Sequence, residues 1–310
     1  MRRIMIPNSF LILAGGESSE KEISLQTGKS VYNAMQTLGW RSKLKIIHTF
    51  DEILHLNLLE NPYVFLAFHG GFGENGCVQS FLSAQKKIYN GANHISSGIG
   101  INKLLTKLIA SSLNIPCPKY ILWNPEFEKK YSYDFVKQRL GSPFIIKPVS
   151  QGCSKGLSFV KNESQYIQAL QKANAFENQI LMEEFIEGRE FTVGILAGDM
   201  LPIIEVSHSH ILFDYEAKFS SESTSYKEFF VPNSVKKHIS QLSFELFKVL
   251  NIHDYGRLDF ILDTQNTPHL LEINTLPGLT EKSVYPQACA LKKLSYKDMI
   301  KKIIMSATMK

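Results

Sequence analysis

No apolar run in this 310-residue sequence approaches the roughly 20 residues that a membrane span requires. A membrane-embedded protein is therefore not expected. Cysteine is scarce: Cys77, Cys117, Cys153 and Cys289 are scattered, with no C-x-x-C pair. Few, dispersed thiols in a long chain suit a reducing cytosol. No basic stripe with interleaved aromatics is present. The Lys-Lys pairs at 86–87, 236–237, 292–293 and 301–302 read as solvated helix faces, so nucleic acid is not an expected partner. Two common nucleotide signatures are also missing, the G-x-G-x-x-G fingerprint and the Walker A loop leading into a helix. Repeats and low-complexity tracts are absent. The opening Met1-Arg2-Arg3-Ile4-Met5-Ile6-Pro7-Asn8 is basic like a signal peptide. Pro7 and Asn8 interrupt it, however, and the apolar run 10–14 is too short for an h-region, so a cytoplasmic protein is expected.

The remaining composition is that of a globular chain, 44% hydrophobic and 20% charged. Its length implies two or three structural units. The formal net charge of +5 favours anionic substrates such as nucleotides.

One stretch concentrates the chemistry. Gly256-Arg257-Leu258-Asp259-Phe260-Ile261-Leu262 and His269-Leu270-Leu271-Glu272-Ile273-Asn274 both alternate. Leu258, Phe260 and Leu262 are expected on one face of the first run, with Leu271 and Ile273 on one face of the second. Arg257, Asp259, Glu272 and Asn274 then point the other way. The polar link Thr264-Gln265-Asn266-Thr267-Pro268 reads as a hairpin turn. A turn centred between Gln265 and Asn266 sets Asp259 across from Glu272 and Arg257 across from Asn274. Facing carboxylates repel unless a cation lies between them. Two acids across a strand pair more often mark an exposed polar hairpin. Here the clean alternation, with Arg257 and Asn274 completing one patch, favours a site for Mg²⁺. Arg257 adds a fixed positive charge, and the combination suits phosphoryl or acyl-phosphate chemistry. The Pro-Gly loop Thr275-Leu276-Pro277-Gly278-Leu279-Thr280 can aim backbone N–H groups into that site.

Along the chain, the strand 10–14, the turn Gly15-Gly16 and an amphipathic helix open a Rossmann-like unit. Strands over 43–47 and 63–68 follow. The second runs into His69-Gly70-Gly71-Phe72-Gly73-Glu74-Asn75-Gly76, a glycine-rich loop where open α/β sheets bind ligands. Helices are expected over 102–114 and 127–140. A strand ending at Lys147-Pro148 then leads into the small-residue hairpin tip Ser150-Gln151-Gly152-Cys153-Ser154-Lys155-Gly156, suited to folding over a triphosphate. Further strands are read over 180–188, 189–196 and 200–206. The polar segment 213–226 reads as a mobile lid, a helix covers 234–250, and one short helix closes the chain. The units are expected at 1–101, 102–187 and 188–310.

In this order the motifs resemble the D-alanine–D-alanine ligases of the ATP-grasp superfamily over about residues 10–305. They are Gly-Gly-x-Ser-x-Glu20-x-Glu-x-Ser, His69-Gly-x-x-Gly-Glu-x-Gly, Lys103-x-x-x-Lys107, Lys147-Pro, Glu190-Phe-Thr-Val, Tyr215-x-Ala-Lys218, Gly-Arg257-x-Asp259 and Glu272-x-Asn274-Thr-x-Pro-Gly278. The fold implied is α/β, with α+β character in the ATP-binding part: a Rossmann-like N-terminal domain followed by a two-lobed ATP-grasp fold. The activity implied is ATP-dependent formation of D-alanyl-D-alanine through D-alanyl phosphate, for peptidoglycan synthesis, with Mg²⁺ or Mn²⁺ as two ions and a homodimeric assembly. By the same resemblance Lys103 and Lys147 hold ATP phosphates, Glu183 the adenine edge and Glu190 the ribose, with Glu184 and Ile186 also at the nucleotide. Lys218 reaches the γ-phosphate. Asp259, Glu272 and Asn274 bind the metal, and Arg257 with the Gly278 N–H stabilises an oxyanion. Glu20 anchors the first D-alanine's ammonium, with His69 near its carboxylate, and Ser283 meets the second substrate's carboxylate.

Three positions depart from the family pattern. Cys153, followed by Ser154, replaces the phosphate-loop serine, Phe219 replaces the lid tyrosine, and Asn75 replaces an acid. In the family, that serine and tyrosine hydrogen-bond with the glutamate matching Glu20. A phenylalanine at the lid position accompanies D-lactate use, so a D-alanine–D-lactate or other dipeptide ligase is the alternative. A non-catalytic nucleotide-binding regulator is more remote, because the metal residues, Arg257, Lys147 and Lys218 are all retained.

Overall fold

The computed structural model describes residues 9–208, 224–307 and 310. Residues 213–223 of the expected lid, with Lys218 and Phe219, lie outside the described residues. The first sheet grows from β1 (Phe10–Gly15), which is buried along its whole length. It is flanked in parallel by β2 (Ser42–Ile47) and β3 (Tyr63–Leu66), and β4 (Ile88–Tyr89) completes the order β2-β1-β3-β4. Parallel neighbours need a crossover, which α1 (Lys21–Thr37) supplies after β1. The helix lies very close to the strand. A Cβ at Gly28 would stand 2.6 Å from the Ala14 Cβ, so any larger residue would push the two apart. Short helices α2 (Phe50–Leu54), α3 (Cys77–Ala84) and α4 (His94–Ile101) fill the later connections. Asn75 helps start α3, since its side-chain oxygen accepts the Cys77 N–H.

The expected helix over 102–114 is α5 (Lys103–Ser112), begun by Asn102, whose side chain accepts the Leu105 N–H. The helix expected over 127–140 is shorter. α6 (Tyr133–Leu140) begins only after the Ser132 cap. Upstream, the Asn124 side chain accepts the Glu126 N–H and its carbonyl accepts from Phe127 and Glu128, a local turn that competes with helix. Four antiparallel strands follow: β5 (Tyr120–Trp123), β6 (Phe144–Pro148), β7 (Ser158–Val160) and β8 (Ile180–Glu184), in the order β5-β8-β6-β7. With α6 and α7 (Glu163–Asn174) they enclose a core around Phe144, Ile146, Tyr166 and Met182.

The third sheet begins with β9 (Gly188–Leu196). The strand expected over 200–206 is split in two. β10 (Asp199–Met200) turns back on β9, and β11 (Ile204–His208) starts after Pro202, which has no N–H for a ladder. With β12 (Thr224–Glu228), β13 (Tyr255–Asp263) and β14 (Pro268–Asn274), the order is β12-β11-β9-β13-β14. α8 (Asn233–Val249) buries Ile239, Leu242 and Leu246 in the same core as Phe191, Leu258 and Phe260. Two helices rather than one end the chain, α9 (Val284–Leu291) and α10 (Tyr296–Ser306). Lys293 at φ 61° breaks the path between them, and Ser295 and Asp298 start α10 with a capping box. Met299, Ile300, Ile303 and Ile304 carry α10 into the core of the first sheet. Among the described residues, no helix is long and apolar enough to cross a membrane.

Candidate active site

The hairpin β13–β14 pairs Arg257 with Asn274 and Asp259 with Glu272, as expected, but by a different route. At its tip the Asn266 N–H donates to the Asp263 carbonyl, Asn266 has φ 63°, and Asp263 pairs with Thr267. The loop is thus centred on Gln265, not between Gln265 and Asn266. A bulge then restores the register: Phe260 faces Leu270 while Asp259 faces Glu272, leaving Leu271 as the extra residue. Consequently Leu270, not Leu271, joins Ile273 in the core, and Leu271 is only half-buried.

The Arg257 guanidinium grips Asp259 with two bonds, Nε to Oδ1 at 2.9 Å and Nη2 to Oδ2 at 2.7 Å. Burial pushes the Arg257 pKa down, but Asp259 outweighs it and holds the guanidinium above its ordinary value. Thr192, across from Asp259 on β9, donates its hydroxyl to Oδ1 at 2.6 Å. Glu190 is two residues away on the same strand and so shares that face. The role of Thr192 was not read from the sequence; it depends on β9 lying beside β13, which no local pattern announces.

Helix α5 places Lys103 and Lys107 one turn apart on one buried face. Lys103 Nζ donates to the Gln151 carbonyl at 2.7 Å and stands 3.4 Å from Glu272 Oε2. It therefore ties the 150–156 loop to the hairpin. Lys107 Nζ stands 3.0 Å from Glu183 Oε1, and Lys147, delivered by β6, stands 2.7 Å from Glu183 Oε2. Burial pushes the Glu183 carboxyl up, but the two lysines outweigh it and hold its pKa below the ordinary value. The next residue, Glu184, accepts the Lys119 N–H at 2.7 Å, and Ile186 is half-buried just beyond the strand.

Glu20 lies where two loops meet. A Cβ on Gly152 would stand 2.5 Å from Glu20 Oε2, and one on Gly70 would stand 2.8 Å from the same atom. The Cys153 thiol donates to Glu20 Oε1, so the loop-to-glutamate link persists with sulfur in place of a hydroxyl. Cys153 and Ser154 both have left-handed backbones, at φ 51° and 56°, a sparsely populated region for residues other than glycine. Such geometry marks a loop held by its surroundings. His69 is buried. Its Nε2 meets the Thr27 hydroxyl at 3.0 Å, its ring bonds the Leu276 backbone, and burial lowers its pKa despite Glu20 nearby.

Glu74, in the same glycine-rich loop, accepts the Gly70 N–H at 2.9 Å. Burial first, then Glu20, pushes its carboxyl up to about 7, with Glu272 adding to the effect. Asn274 Oδ1 accepts the Leu276 N–H at 3.1 Å, which fixes the start of the loop running to Gly278. A Cβ on Gly278 would lie 2.9 Å from the Ser283 hydroxyl, which also meets Thr280 at 2.8 Å.

Two groups of the expected residues thus form. Glu20, His69, Cys153, Arg257, Asp259, Glu272 and Lys103 are linked through the loops, while Lys147 and Glu183 form a second cluster with Lys107. Among the described residues, no three His, Cys, Asp or Glu side chains form a metal-binding group. The oxygen donors on the patch are Asp259, Glu272 and the Asn274 amide, a set whose chemistry fits a hard cation.

Residues 109–305 match the family described as D-ala D-ala ligase C-terminus. The D-alanine–D-alanine ligase of Carboxydothermus hydrogenoformans is 33% identical over 307 residues, covering 95% of this chain and 96% of that protein. The Aquifex aeolicus ligase is 34% identical over 298 residues, covering 95% and 99%. Among solved structures, the Bacillus anthracis D-alanine–D-alanine ligase superposes with a TM-score of 0.86 at 28% identity, covering 96% of each chain. The same enzyme complexed with ATP gives 0.82 at 29% identity, again over 96% of each. With its sheet order, its Arg257–Asp259–Glu272 patch and these matches, the chain belongs to the D-alanine–D-alanine ligase family.

Proposed function

We propose that this protein is an ATP-dependent D-alanine–D-alanine ligase acting through a D-alanyl phosphate. The observation that carries the reading is the meeting of Glu20, clasped by the Gly70 and Gly152 loops, with the patch formed by Arg257, Asp259 and Glu272. An anionic pocket for an ammonium thereby adjoins a place where transferred phosphate and oxyanion charge can be held. In the proposed reaction a carboxylate oxygen of the first D-alanine attacks the γ-phosphorus and ADP departs. The amine of the second attacks the acyl carbon, phosphate departs, and the dipeptide forms.

Glu20 orients the first ammonium, and neutral His69 lies beside its carboxylate. Lys103 and Lys147 hold phosphate oxygens, with Glu183, Glu184, Ile186 and Glu190 around the nucleoside. Arg257, fixed by Asp259, and the Gly278 N–H steady the oxyanion, and Ser283 receives the second carboxylate. Asp259, Glu272 and Asn274 would hold Mg²⁺ or Mn²⁺, which supplies charge neutralisation for the phosphates. The acceptor preference rests on Phe219, outside the described residues, while Cys153 retains the bond to Glu20. The same reading divides the chain near 101 and 187 and makes it a cytoplasmic homodimer. The boundaries are supported by three separate sheets, whose first strands after each boundary are β5 and β9.

ADP release from ATP, Mg²⁺ and D-alanine tests the assignment. Release that depends on D-alanine is expected, and Glu272→Gln should reduce it more than about a hundredfold with the fold intact. Near-normal turnover in folded Glu272→Gln would remove Glu272 from the site, and no D-alanine-dependent release in the wild type would overturn the reading.

A further inference from the structure

The buried triad Lys107–Glu183–Lys147 contains one residue for which the reaction above has no use. Lys107 is 1% exposed, and no contact with substrate or nucleotide is assigned to it in that reaction. Its ammonium nevertheless lies 3.0 Å from Glu183, on the oxygen opposite the one that meets Lys147. An ammonium loses several kcal/mol of hydration when it is buried this deeply, so its retention calls for a physical reason.

The reason lies in what happens to Lys147. In the structure two cations share one carboxylate. A phosphate oxygen that draws Lys147 away, or shares it, leaves Glu183 with a single counter-ion. Without Lys107 the buried carboxylate would then stand nearly alone in a low-dielectric site and would take up a proton. We infer that Lys107 is a positioning residue that keeps Glu183 ionised and pointed at the nucleotide base while Lys147 engages the phosphates. This rests on the assignment of Glu183 and Lys147 to the nucleotide.

The surroundings agree. Glu183 on β8 faces Lys107 from α5, Lys147 from β6, and Cys117 and Tyr120 on and just before β5. Burial pushes both the Cys117 thiol and the Tyr120 hydroxyl up, so neither ionises near neutrality. Charge on Glu183 is therefore governed by the two lysines. An ionised carboxylate accepts from the adenine amino group, whereas guanine presents a carbonyl at the same edge. Lys107 thus acts on base preference through Glu183.

Steady-state ADP release with ATP and with GTP, from about pH 6 to about pH 8, tests this in wild type, Lys107→Met, Glu183→Gln and the double variant. In Lys107→Met the KM for ATP should rise roughly tenfold, with kcat changing less, since one charge-assisted bond to the base is weakened. The rise should grow as pH falls, because burial then protonates Glu183, and the preference for ATP over GTP should narrow. The wild type should stay flat across the range. In the Glu183→Gln background, Lys107→Met should add nothing further, because the carboxylate it acts through no longer carries charge. If Lys107→Met alone does not fold, Glu183→Gln and the double variant still decide the matter: equal KM supports the proposal, and a further loss in the double overturns it. Wild-type saturation with ATP together with an unchanged, pH-flat Lys107→Met would overturn the proposal alone. A wild type that never saturates with ATP would overturn the nucleotide assignment as well.

Discussion

Glu74 shows how one buried residue can set a pH dependence. Its carboxyl accepts the Gly70 N–H, and two carboxylates, Glu20 and Glu272, lie in its field. With burial they raise its pKa from 4.5 to about 7. Between those values the folded protein holds a proton that the unfolded chain has lost. Stability is therefore greater below the unfolded pKa and falls as pH rises through the folded one. Fully charging Glu74 in the fold costs about 3 kcal/mol by linkage. Glu74→Gln cannot charge, so it should lose less stability than the wild type between about pH 5 and about pH 8. Calorimetric Tm values across that range measure the difference, and parallel curves would assign the proton to another group. The sequence places Glu74 in a binding loop but cannot show this shift. The shift comes first from burial and then from Glu20 and Glu272, which lie far from Glu74 along the chain or on another sheet.

At the scale of elements, local pattern was legible wherever one face of a strand is buried. Alternation in β13 and β14 brings out the Asp259–Glu272 pair because a register slip would turn charges into the core. The bulge at Leu271 was not legible, since a leucine doublet fits either parity. The shortened α6 was hidden by a side-chain turn at Asn124. The 150–156 loop illustrates what composition does reveal. Its small residues leave room for Glu20 to reach between Gly70 and Gly152. Gly152 does not need a left-handed backbone, so alanine is tolerated by the chain itself. The three atoms nearest the new methyl all belong to the Glu20 carboxylate, the far end of a flexible side chain. Gly152→Ala should leave stability within about 0.5 kcal/mol, as for substitutions that strain no backbone. It should reduce turnover by roughly a hundredfold, because Glu20 is displaced by about 1 Å from its working position. Thermal melts beside ADP-release assays separate the two effects. A large Tm loss would mean that the loop cannot yield, and full activity would mean that Glu20 has slack.

Across the whole molecule, the three units and most of their strands follow from pattern, but the order of strands within each sheet and the contacts that lock the sheets together do not. Asp254 sits just before β13 and is fully buried, and it accepts the Gly91 N–H from the loop after β4 at 2.7 Å. The Lys310 ammonium reaches the same carboxylate at 3.0 Å, bonds the Gly91 carbonyl and lies over the Tyr89 ring, 5.0 Å from its centre. Neither a lone aspartate nor a C-terminal lysine signals this clasp between first and third sheets in the sequence. Burial raises the Asp254 pKa and lowers that of Lys310, so in each partner desolvation outweighs attraction. Such a pair contributes little compared with an apolar replacement, yet breaking it from one side is costly. Lys310→Ala should destabilise by about 3 kcal/mol, since it leaves an uncompensated buried carboxylate. The sign of its pH dependence follows. A raised carboxylate pKa means that stability falls as pH rises through the folded value, and removing the lysine raises that value further. The deficit of Lys310→Ala should therefore shrink in acid and be full at neutral pH. Adding Asp254→Asn should recover much of the loss at neutral pH, because the amide carries no charge to strand. Urea unfolding of the single and double variants at two pH values measures each term. A single-variant deficit that does not change with pH, and that Asp254→Asn does not relieve, would show that Lys310 contributes packing against Tyr89 rather than charge.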